Sequence, residues 1–153
     1  MTNIQQMLQD WERHRTVLID VLGRVDGEHV GFKPWDGAMA LGELAMHVAG
    51  WNHALVELVK TGELPAVQPA EGMSMDQVRQ AVSDLTGRTK AVYASLTPAD
   101  LEAERQFLRL RARGKTLLRM MYDHEVHHKA QLMLYARIAG VRDLPFFAPP
   151  PQD

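Results

Sequence analysis

The chain has 153 residues, which is the size of a single domain with a substantial core. Hydrophobic residues make up 46% and charged residues 24% of it, a balance typical of globular proteins and unlike that of disordered ones. The net charge of −2 excludes a general attraction to nucleic acid or to acidic membranes. No apolar run is long enough to cross a bilayer, and the N-terminus lacks the pattern of a signal peptide, so we expect a cytoplasmic protein.

The sequence contains no cysteine. This excludes disulfides, thiolate metal ligands and a cysteine nucleophile. A metal site in this chain would therefore be built from histidine, carboxylate and water, and seven histidines are available for it.

Hydrophobic periodicity predicts four long helices. They cover about residues 3–24, 41–60, 74–94 and 116–139. A connection rich in turn-forming residues joins the first two over 27–40, and Pro65 and Pro69 mark the linker before the third. Arg15 interrupts the apolar stripe of the first helix, where it could reach the edge of the bundle or pair with a carboxylate.

Shorter elements are predicted around the last helix. Thr97 and Pro98 are typical of a helix start, and they predict a short helix to about residue 105. Residues 107–114 alternate apolar and basic side chains and are expected to be extended, but the sequence shows no convincing run of paired strands. We therefore predict an all-α four-helix bundle over residues 1–142, with a long crossover and a short extra helix, and a proline-rich tail over 143–153.

Two histidines, His124 and His128, lie at the centre of the last predicted helix. Four residues apart on a helix, their Cβ atoms are roughly 5–6 Å apart. That separation suits one metal ion held about 2.0–2.1 Å from each ring nitrogen. The pair shares a helical stripe with four apolar residues, Leu117, Met121, Leu132 and Tyr135. We therefore expect both imidazoles to point into the bundle.

A third histidine, His47, falls on the apolar face of the second helix, beside Leu44 and Val48. With His124 and His128 it would form a three-histidine site with open positions, the arrangement expected of a catalytic metal. Residue type and spacing leave a second interpretation, in which these are half-buried histidines that hydrogen-bond to their neighbours.

The segment from His124 to His128 also matches the His-Glu-x-x-His pattern of zinc peptidases, in which the glutamate activates water. The commoner peptidase patterns take a further ligand downstream, and no histidine follows His128, which argues against a peptidase. Glu125 lies about 100° around the helix from His124, so it could be a base, a hydrogen-bond acceptor or part of a salt bridge. His127 lies off the stripe and is expected at the rim or surface.

Four other side chains have two interpretations. Trp51, one turn after His47, could wall a pocket, although a core position is favoured. His14 and His29 show no partner pattern, and His53 lies well away from His47 around the second helix, so all three are predicted to be structural or exposed.

Three stretches of the chain resemble the DinB/YfiT-like superfamily. They are Phe32-Lys33-Pro34, then Leu41-Gly42-Glu43-Leu44-Ala45-Met46-His47 with Trp51, and finally Asp123-His124-Glu125-Val126-His127-His128-Lys129-Ala130-Gln131-Leu132. The resemblance runs from the first helix to Gly140. Lys129-Ala130 depart from the Arg-Gly that is commoner in the family at this place, and the histidines are intact.

This resemblance implies an up-down-down-up four-helix bundle, usually a homodimer, with a divalent metal held by His47, His124 and His128. Family members with assigned activities include S-transferases that use bacillithiol or mycothiol, a mycothiol-dependent isomerase and proposed metal-dependent hydrolases. Three imidazoles suit zinc, nickel, iron or manganese.

The leading functional hypothesis is a metal-dependent enzyme that transfers a low-molecular-weight thiol to a small-molecule electrophile in detoxification or the stress response. Because the chain has no cysteine, the thiol would arrive with a cosubstrate of the bacillithiol or mycothiol type. A metal-dependent hydrolase is the alternative within the enzyme class. The hypothesis from another class is a non-catalytic dimeric stress or binding protein that a metal stabilises.

Overall fold

A computed structural model describes residues 2–151, and helices dominate it. In chain order its elements are α1 (Asn3–Arg24), a 3₁₀ turn (Gly27–Gly31), α2 (Leu41–Thr61), α3 (Met75–Ala94), α4 (Pro98–Glu102), β1 (Glu104–Phe107), β2 (Leu110–Arg113) and α5 (Gly114–Ile138). The four predicted long helices are confirmed, each end within two residues of its predicted position.

Local side-chain chemistry sets where several helices begin and end. Ser74 Oγ accepts from the backbone N–H of Gln77 at 3.2 Å, and Gln77 Oε1 accepts from the N–H of Ser74 at 2.8 Å, which completes the capping box before α3. Thr97 and Asp100 form the equivalent pair before α4. Gly62 ends α2 with φ 83°, a left-handed conformation that glycine adopts without a Cβ clash.

The four long helices occupy the corners of a square. Both α1 and α2 pack against α3 and α5, so α1 and α2 lie at opposite corners and the 25–40 connection crosses one end of the bundle. The predicted long crossover is therefore confirmed.

Contacts between the helices give their directions. His53 of α2 contacts Thr89 of α3. Lys60, about two turns later on α2, contacts Ser95 just after α3, so the two helices are parallel. Arg79, near the start of α3, donates to the carbonyls of Leu22 and Val25 at the end of α1, so α1 and α3 are antiparallel.

The last long helix completes the topology. The side chain of Asn52 on α2 contacts Glu125 of α5, and Val59, seven residues after Asn52 on the same helix, lies against Gly114 at the start of α5. These contacts make α5 antiparallel to α2. The bundle is therefore up-down-down-up, as the family resemblance implies.

Because α2 and α3 are parallel, the chain between them has to run back along the bundle, and residues 62–74 form this connection. This linker packs against α2 at Gly50, where a Cβ would lie 2.7 Å from Cγ1 of Val67. Glycine at position 50 therefore allows the linker to approach the helix that carries His47.

One prediction needs correction, because residues 104–113 form a pair of strands where the sequence showed none. β1 and β2 pair antiparallel, with Glu104 opposite Arg113 and Phe107 opposite Leu110. The two-residue turn is Leu108-Arg109, and Leu108 has φ 52°. This turn lacks the glycine or asparagine that marks most hairpins, so its sequence gave no hairpin signal. The short helix α4 correspondingly ends at Glu102, before β1, and not near residue 105.

The core consists of two apolar clusters with a polar layer between them. One cluster surrounds Leu18, Leu44 and Leu132, and the other surrounds Trp11, Leu58 and Leu117. Each long helix contributes one residue to the layer between them, and these are Arg15, Asn52, Thr86 and Glu125. All four side chains are buried.

The tail is not helical over its described residues, 143–151, and it lies along α1 and α5. The Phe147 carbonyl accepts from Lys129 Nζ, the Pro149 carbonyl accepts from Arg13 Nη1 at 2.6 Å, and Ala148 is buried. The rings of Phe146 and Phe147 are largely exposed, so the tail is held by its backbone carbonyls and by buried Ala148 rather than by these rings. The domain boundary at residue 142 stays a prediction, and residues 152 and 153 lie outside the described range.

No helix within residues 2–151 is both long enough and apolar enough to span a membrane.

Candidate metal centre

The three histidines singled out in the sequence converge between α2 and α5. His47, His124 and His128 each place one ring nitrogen within 4.8 Å of the other two, and all three are half-buried. Nε2 of His124 lies 3.1 Å from Nε2 of His47. Two nitrogens that share one ion at about 2.0–2.1 Å with tetrahedral angles are about 3.3 Å apart, so the observed spacing suits a shared cation.

Hydrogen bonds occupy the far nitrogens of two of these rings. Nδ1 of His124 bonds Oδ1 of Asn52 at 3.0 Å, and Nδ1 of His128 bonds Oε1 of Gln131 at 2.7 Å. A ring that donates from Nδ1 keeps its lone pair on Nε2. The donor set therefore fits a metal ion, because His124 and His128 each keep a free lone pair on Nε2.

A buried carboxylate fixes the His124 tautomer through Asn52. Glu125 only accepts hydrogen bonds when ionised, so the Asn52 amide NH₂ donates to its Oε2, at 2.6 Å. The Asn52 oxygen must then face His124, which donates to it from Nδ1. Such partners hold a ligating imidazole in its orientation.

Glu125 is itself held by a fully buried ion pair. Arg15 Nε donates to Oε1 at 2.9 Å and Nη2 donates to Oε2 at 2.7 Å, while Trp11 Nε1 donates to Oε2 at 3.3 Å. Of the roles that the sequence left open for Glu125, the structure selects the salt bridge and the acceptor of a neighbouring amide. Arg15 likewise pairs with a carboxylate and does not reach the edge of the bundle.

Burial keeps the three imidazoles neutral at physiological pH. Burial, together with the proximity of His128 and His47, lowers the pKa of His124 to about 3. Burial is also the main cause of the lowered pKa of His47 and of His128. Neutral rings are the form that binds a metal.

Two clefts border this cluster, one on each side of His47 and Trp51. The first has a volume of about 320 Å³ and is lined by His47, Trp51, Leu55, Phe107, Leu108, Met120 and His124. The second, of about 270 Å³, lies between α2 and the 62–74 linker, with Glu43 and Gln68 among its lining residues. The candidate centre is therefore open from two directions.

Trp51 and the hairpin are where sequence reasoning about the site fell short. Trp51 is half-buried and walls both clefts, with its ring 6.0 Å from that of Phe107, so the favoured core position is wrong. Phe107 and Leu108 were not predicted to line the site, because the hairpin that carries them was not recognised. Asn52 was also missed, although a polar residue between Val48 and Leu55 on an apolar stripe is a readable signal.

The remaining histidines have other surroundings. His127 is exposed, as predicted, although its ring lies 4.8 Å from that of His128. His14 and His53 are buried and structural, with His53 Nδ1 3.2 Å from Thr89 Oγ1. Within the described part of the chain, no fourth histidine or carboxylate joins the three-histidine cluster.

A larger cleft, of about 580 Å³, is lined by residues of α1, α3 and α5, among them Met7, Tyr93 and Tyr122. None of the three clustered histidines lines it. We therefore place the candidate site at the histidines, where donor chemistry and an opening coincide, and not at this larger cleft.

The fold and the site together define a class of helical bundle with an interhelical histidine cluster. The profile of the DinB superfamily matches residues 10–132, and the chain belongs to this superfamily.

Individual relatives agree with this assignment. YjoA from Bacillus subtilis is 26% identical over 150 residues, which cover 96% of this chain and 97% of that protein. Its crystal structure, that of a DinB-like protein, matches with a TM-score of 0.83 at 25% identity and covers 94% of this chain and 98% of that one.

Two more distant structures share the fold. A mycothiol-dependent maleylpyruvate isomerase matches with a TM-score of 0.72 at 16% identity, over 86% of this chain and 61% of that one. YfiT from Bacillus subtilis, a probable metal-dependent hydrolase with a four-helix bundle of unusual topology, matches with a TM-score of 0.71 at 16% identity, over 93% of this chain and 91% of that one.

Proposed function

We propose that this protein is a metal-dependent enzyme whose divalent ion is held by His47, His124 and His128. The observation that carries this proposal is the convergence of three neutral imidazoles at an opening, with no fourth protein ligand among the described residues. Structural zinc sites are usually closed by four protein ligands, whereas catalytic sites keep a position free. The open cluster therefore supports an enzyme over a bundle that a metal merely stabilises.

When bound, a divalent ion lowers the pKa of a water or thiol at its open position, which supplies a nucleophile at neutral pH. The protein contributes orientation and charge. Neutral histidines leave the positive charge of the ion undiminished, which favours an anionic reactant. The Glu125–Asn52–His124 chain holds one ring in its binding orientation.

The reaction that we propose is the transfer of a low-molecular-weight thiol, of the bacillithiol or mycothiol type, to an electrophile in detoxification or the stress response. The thiol loses its proton, its sulfur bonds to an electrophilic carbon, and the leaving group departs with the electrons of the broken bond. Two clefts that meet at His47 and Trp51 support this choice, since two reactants can approach from different sides. The chain has no cysteine, so the sulfur has to come from a cosubstrate.

Metal-dependent hydrolysis is the second candidate reaction, with water in place of the thiol. The similarity in fold to YfiT, a probable metal-dependent hydrolase, favours it. The same site would serve both reactions, so the requirement for a thiol distinguishes them.

Metal content tests the ligand assignment. We expect purified protein to contain a divalent metal that His47→Ala and His128→Ala lose, whereas His127→Ala, which changes an exposed neighbour, retains it. Metal analysis of the four proteins gives the answer, and it also names the ion. Full metal content in both ligand variants would show that the assignment is wrong.

Activity tests the reaction. Metal-loaded protein is incubated with an aryl halide or an epoxide and with bacillithiol or mycothiol, and thiol consumption is followed. We expect consumption that depends on the metal and is absent in His47→Ala. Turnover of an ester without any thiol would instead assign the protein to the hydrolases.

A further inference from the structure

The cleft on the hairpin side of the candidate centre is apolar. Its walls come from Trp51 and Leu55 on α2, Phe107 and Leu108 on the hairpin, and Met120 on α5. Apart from the imidazoles of His47 and His124 and the indole N–H of Trp51, its described lining side chains are apolar, and none of them carries a charge. One end of the cleft therefore opens on the candidate metal centre, and the rest of it is hydrocarbon.

Size and chemistry restrict what such a cleft can hold. Its volume of about 320 Å³ is at the lower end of the range for small-molecule sites, roughly 300–1,000 Å³. A charged group placed among these apolar walls would lose hydration and meet no counter-ion among the described lining side chains. The rings of Trp51 and Phe107 stand nearly perpendicular, at 81°, and offer two aromatic surfaces, while Met120 can adapt its shape to a ligand.

Leu108 occupies its place in this cleft at a conformational cost. Its φ of 52° is in the left-handed region, where glycine is tolerated and a leucine side chain is strained. Leu108 is 65% exposed, so burial within the protein does not compensate for the strain. Gln106 Nε2 donates to the Leu108 carbonyl at 2.7 Å and helps to hold the turn. Strained residues of this kind are concentrated at ligand clamps and active sites.

We propose that this cleft binds an uncharged, apolar or aromatic part of the substrate, and that Leu108 is a specificity-determining residue at its mouth. This inference rests on the proposed function, because it makes the substrate of the histidine centre a hydrophobic electrophile. The charged or polar reactant then enters by the cleft beside Glu43 and Gln68.

A pair of fluorescent probes tests the cleft without turnover and without metal. N-phenyl-1-naphthylamine is uncharged, and 1-anilinonaphthalene-8-sulfonate has the same ring skeleton with a negative charge. We expect the uncharged probe to bind at least about tenfold more tightly than the sulfonate, because burial of the charge is unfavourable.

The Leu108→Gly variant separates binding from stability. It removes the apolar side chain and also relieves the strained φ, so we expect affinity for the uncharged probe to fall at least about threefold while the melting temperature is unchanged or higher. Leu110→Ala is the matched control, since Leu110 is an exposed leucine of the same hairpin that does not line the cleft. Its probe affinity should equal that of the parent.

Two results would overturn the proposal. One is the absence of binding of the uncharged probe, and the other is equal affinity of that probe for the parent and for Leu108→Gly. If affinity is equal and Leu108→Gly also dissociates a dimer, the cleft is assigned to a second copy of the chain. His128→Ala separates this test from that of the proposed function, because His128 does not line the cleft: probe binding should persist in that variant even if no protein of the series binds metal.

Discussion

Asn52 joins the candidate metal centre to the buried ion pair. Its amide oxygen contacts His124 and its amide nitrogen contacts Glu125. Because the buried carboxylate is fixed, Asn52 is fixed in turn and holds the imidazole of His124 in its orientation. Partners of this kind usually contribute a factor of about 10–100 to metal affinity.

We therefore expect Asn52→Ala to weaken metal binding about 10- to 100-fold, because His124 loses the acceptor that fixes its tautomer. Competition against a chromophoric chelator measures the affinity. Thr86→Val is the control, since Thr86 accepts from Arg15 in the same polar layer and touches none of the three histidines. Equal metal affinities of the parent and of Asn52→Ala would show that Asn52 does not support metal binding.

The Arg15–Glu125 pair predicts a large loss of stability. Glu125→Ala leaves the Arg15 guanidinium buried without its carboxylate, so we expect the free energy of unfolding to fall by about 3–5 kcal/mol. Replacement of both residues by methionine should recover much of this loss, because no uncompensated charge then remains. Urea titrations of the three proteins measure the difference, and a double variant no more stable than Glu125→Ala would contradict the explanation.

At the scale of elements, the contact between α1 and α5 predicts a dependence on pH. Lys129 Nζ donates to Nδ1 of buried His14 at 2.8 Å, and Nε2 of His14 lies 3.1 Å from the Tyr122 hydroxyl. Burial, together with the nearby Lys129 charge, lowers the pKa of His14 to about 4 from an ordinary value of 6.5.

The unfolded chain therefore binds a proton at His14 at a higher pH than the folded chain does. The contribution of neutral His14 to the free energy of unfolding is fully present above about pH 6.5 and is lost progressively as the pH falls towards 4. We expect His14→Gln to flatten part of the decline in unfolding free energy between pH 7 and 4.5, measured by urea titration. His127→Gln, at an exposed position, should follow the parent curve; an unchanged slope in His14→Gln would contradict the assignment.

Elements with a strong apolar period were predictable, and those defined by tertiary contacts were not. The 3.6-residue repeats gave all four long helices, and the spacing of His124 and His128 placed one pair of candidate ligands on a single inward face. The short strands were missed because Leu108-Arg109 lacks turn chemistry and because two four-residue strands are stable only against the bundle. The approach of His47 and the contact of Asn52 with Glu125 depend on how α2 packs on α5, which no local pattern specifies.

At the scale of the whole molecule, a bound ion should stabilise the fold. An ion that binds only the folded state adds about 2.7 kcal/mol at about 100 times its Kd. We expect the melting temperature of metal-free protein to rise with added divalent metal and a chelator to reverse the rise. His47→Ala should show no such shift, and an equal shift in that variant would place the binding elsewhere.

The homodimer that the resemblance implies stays a prediction for the whole molecule. Light scattering over a range of concentrations tests it, and a monomer at every concentration would contradict it.

The buried layer of Arg15, Asn52, Thr86 and Glu125 has a further consequence for how the helices align along their axes. If α5 slid by one turn, about 5.4 Å, Glu125 would leave its guanidinium and move into one of the two apolar clusters. An apolar core would tolerate that slip far better, since one hydrocarbon contact can replace another. The Arg15–Glu125 ion pair costs desolvation energy, but it fixes the position of α5 along the bundle axis. It therefore keeps His124 at the same height as His47.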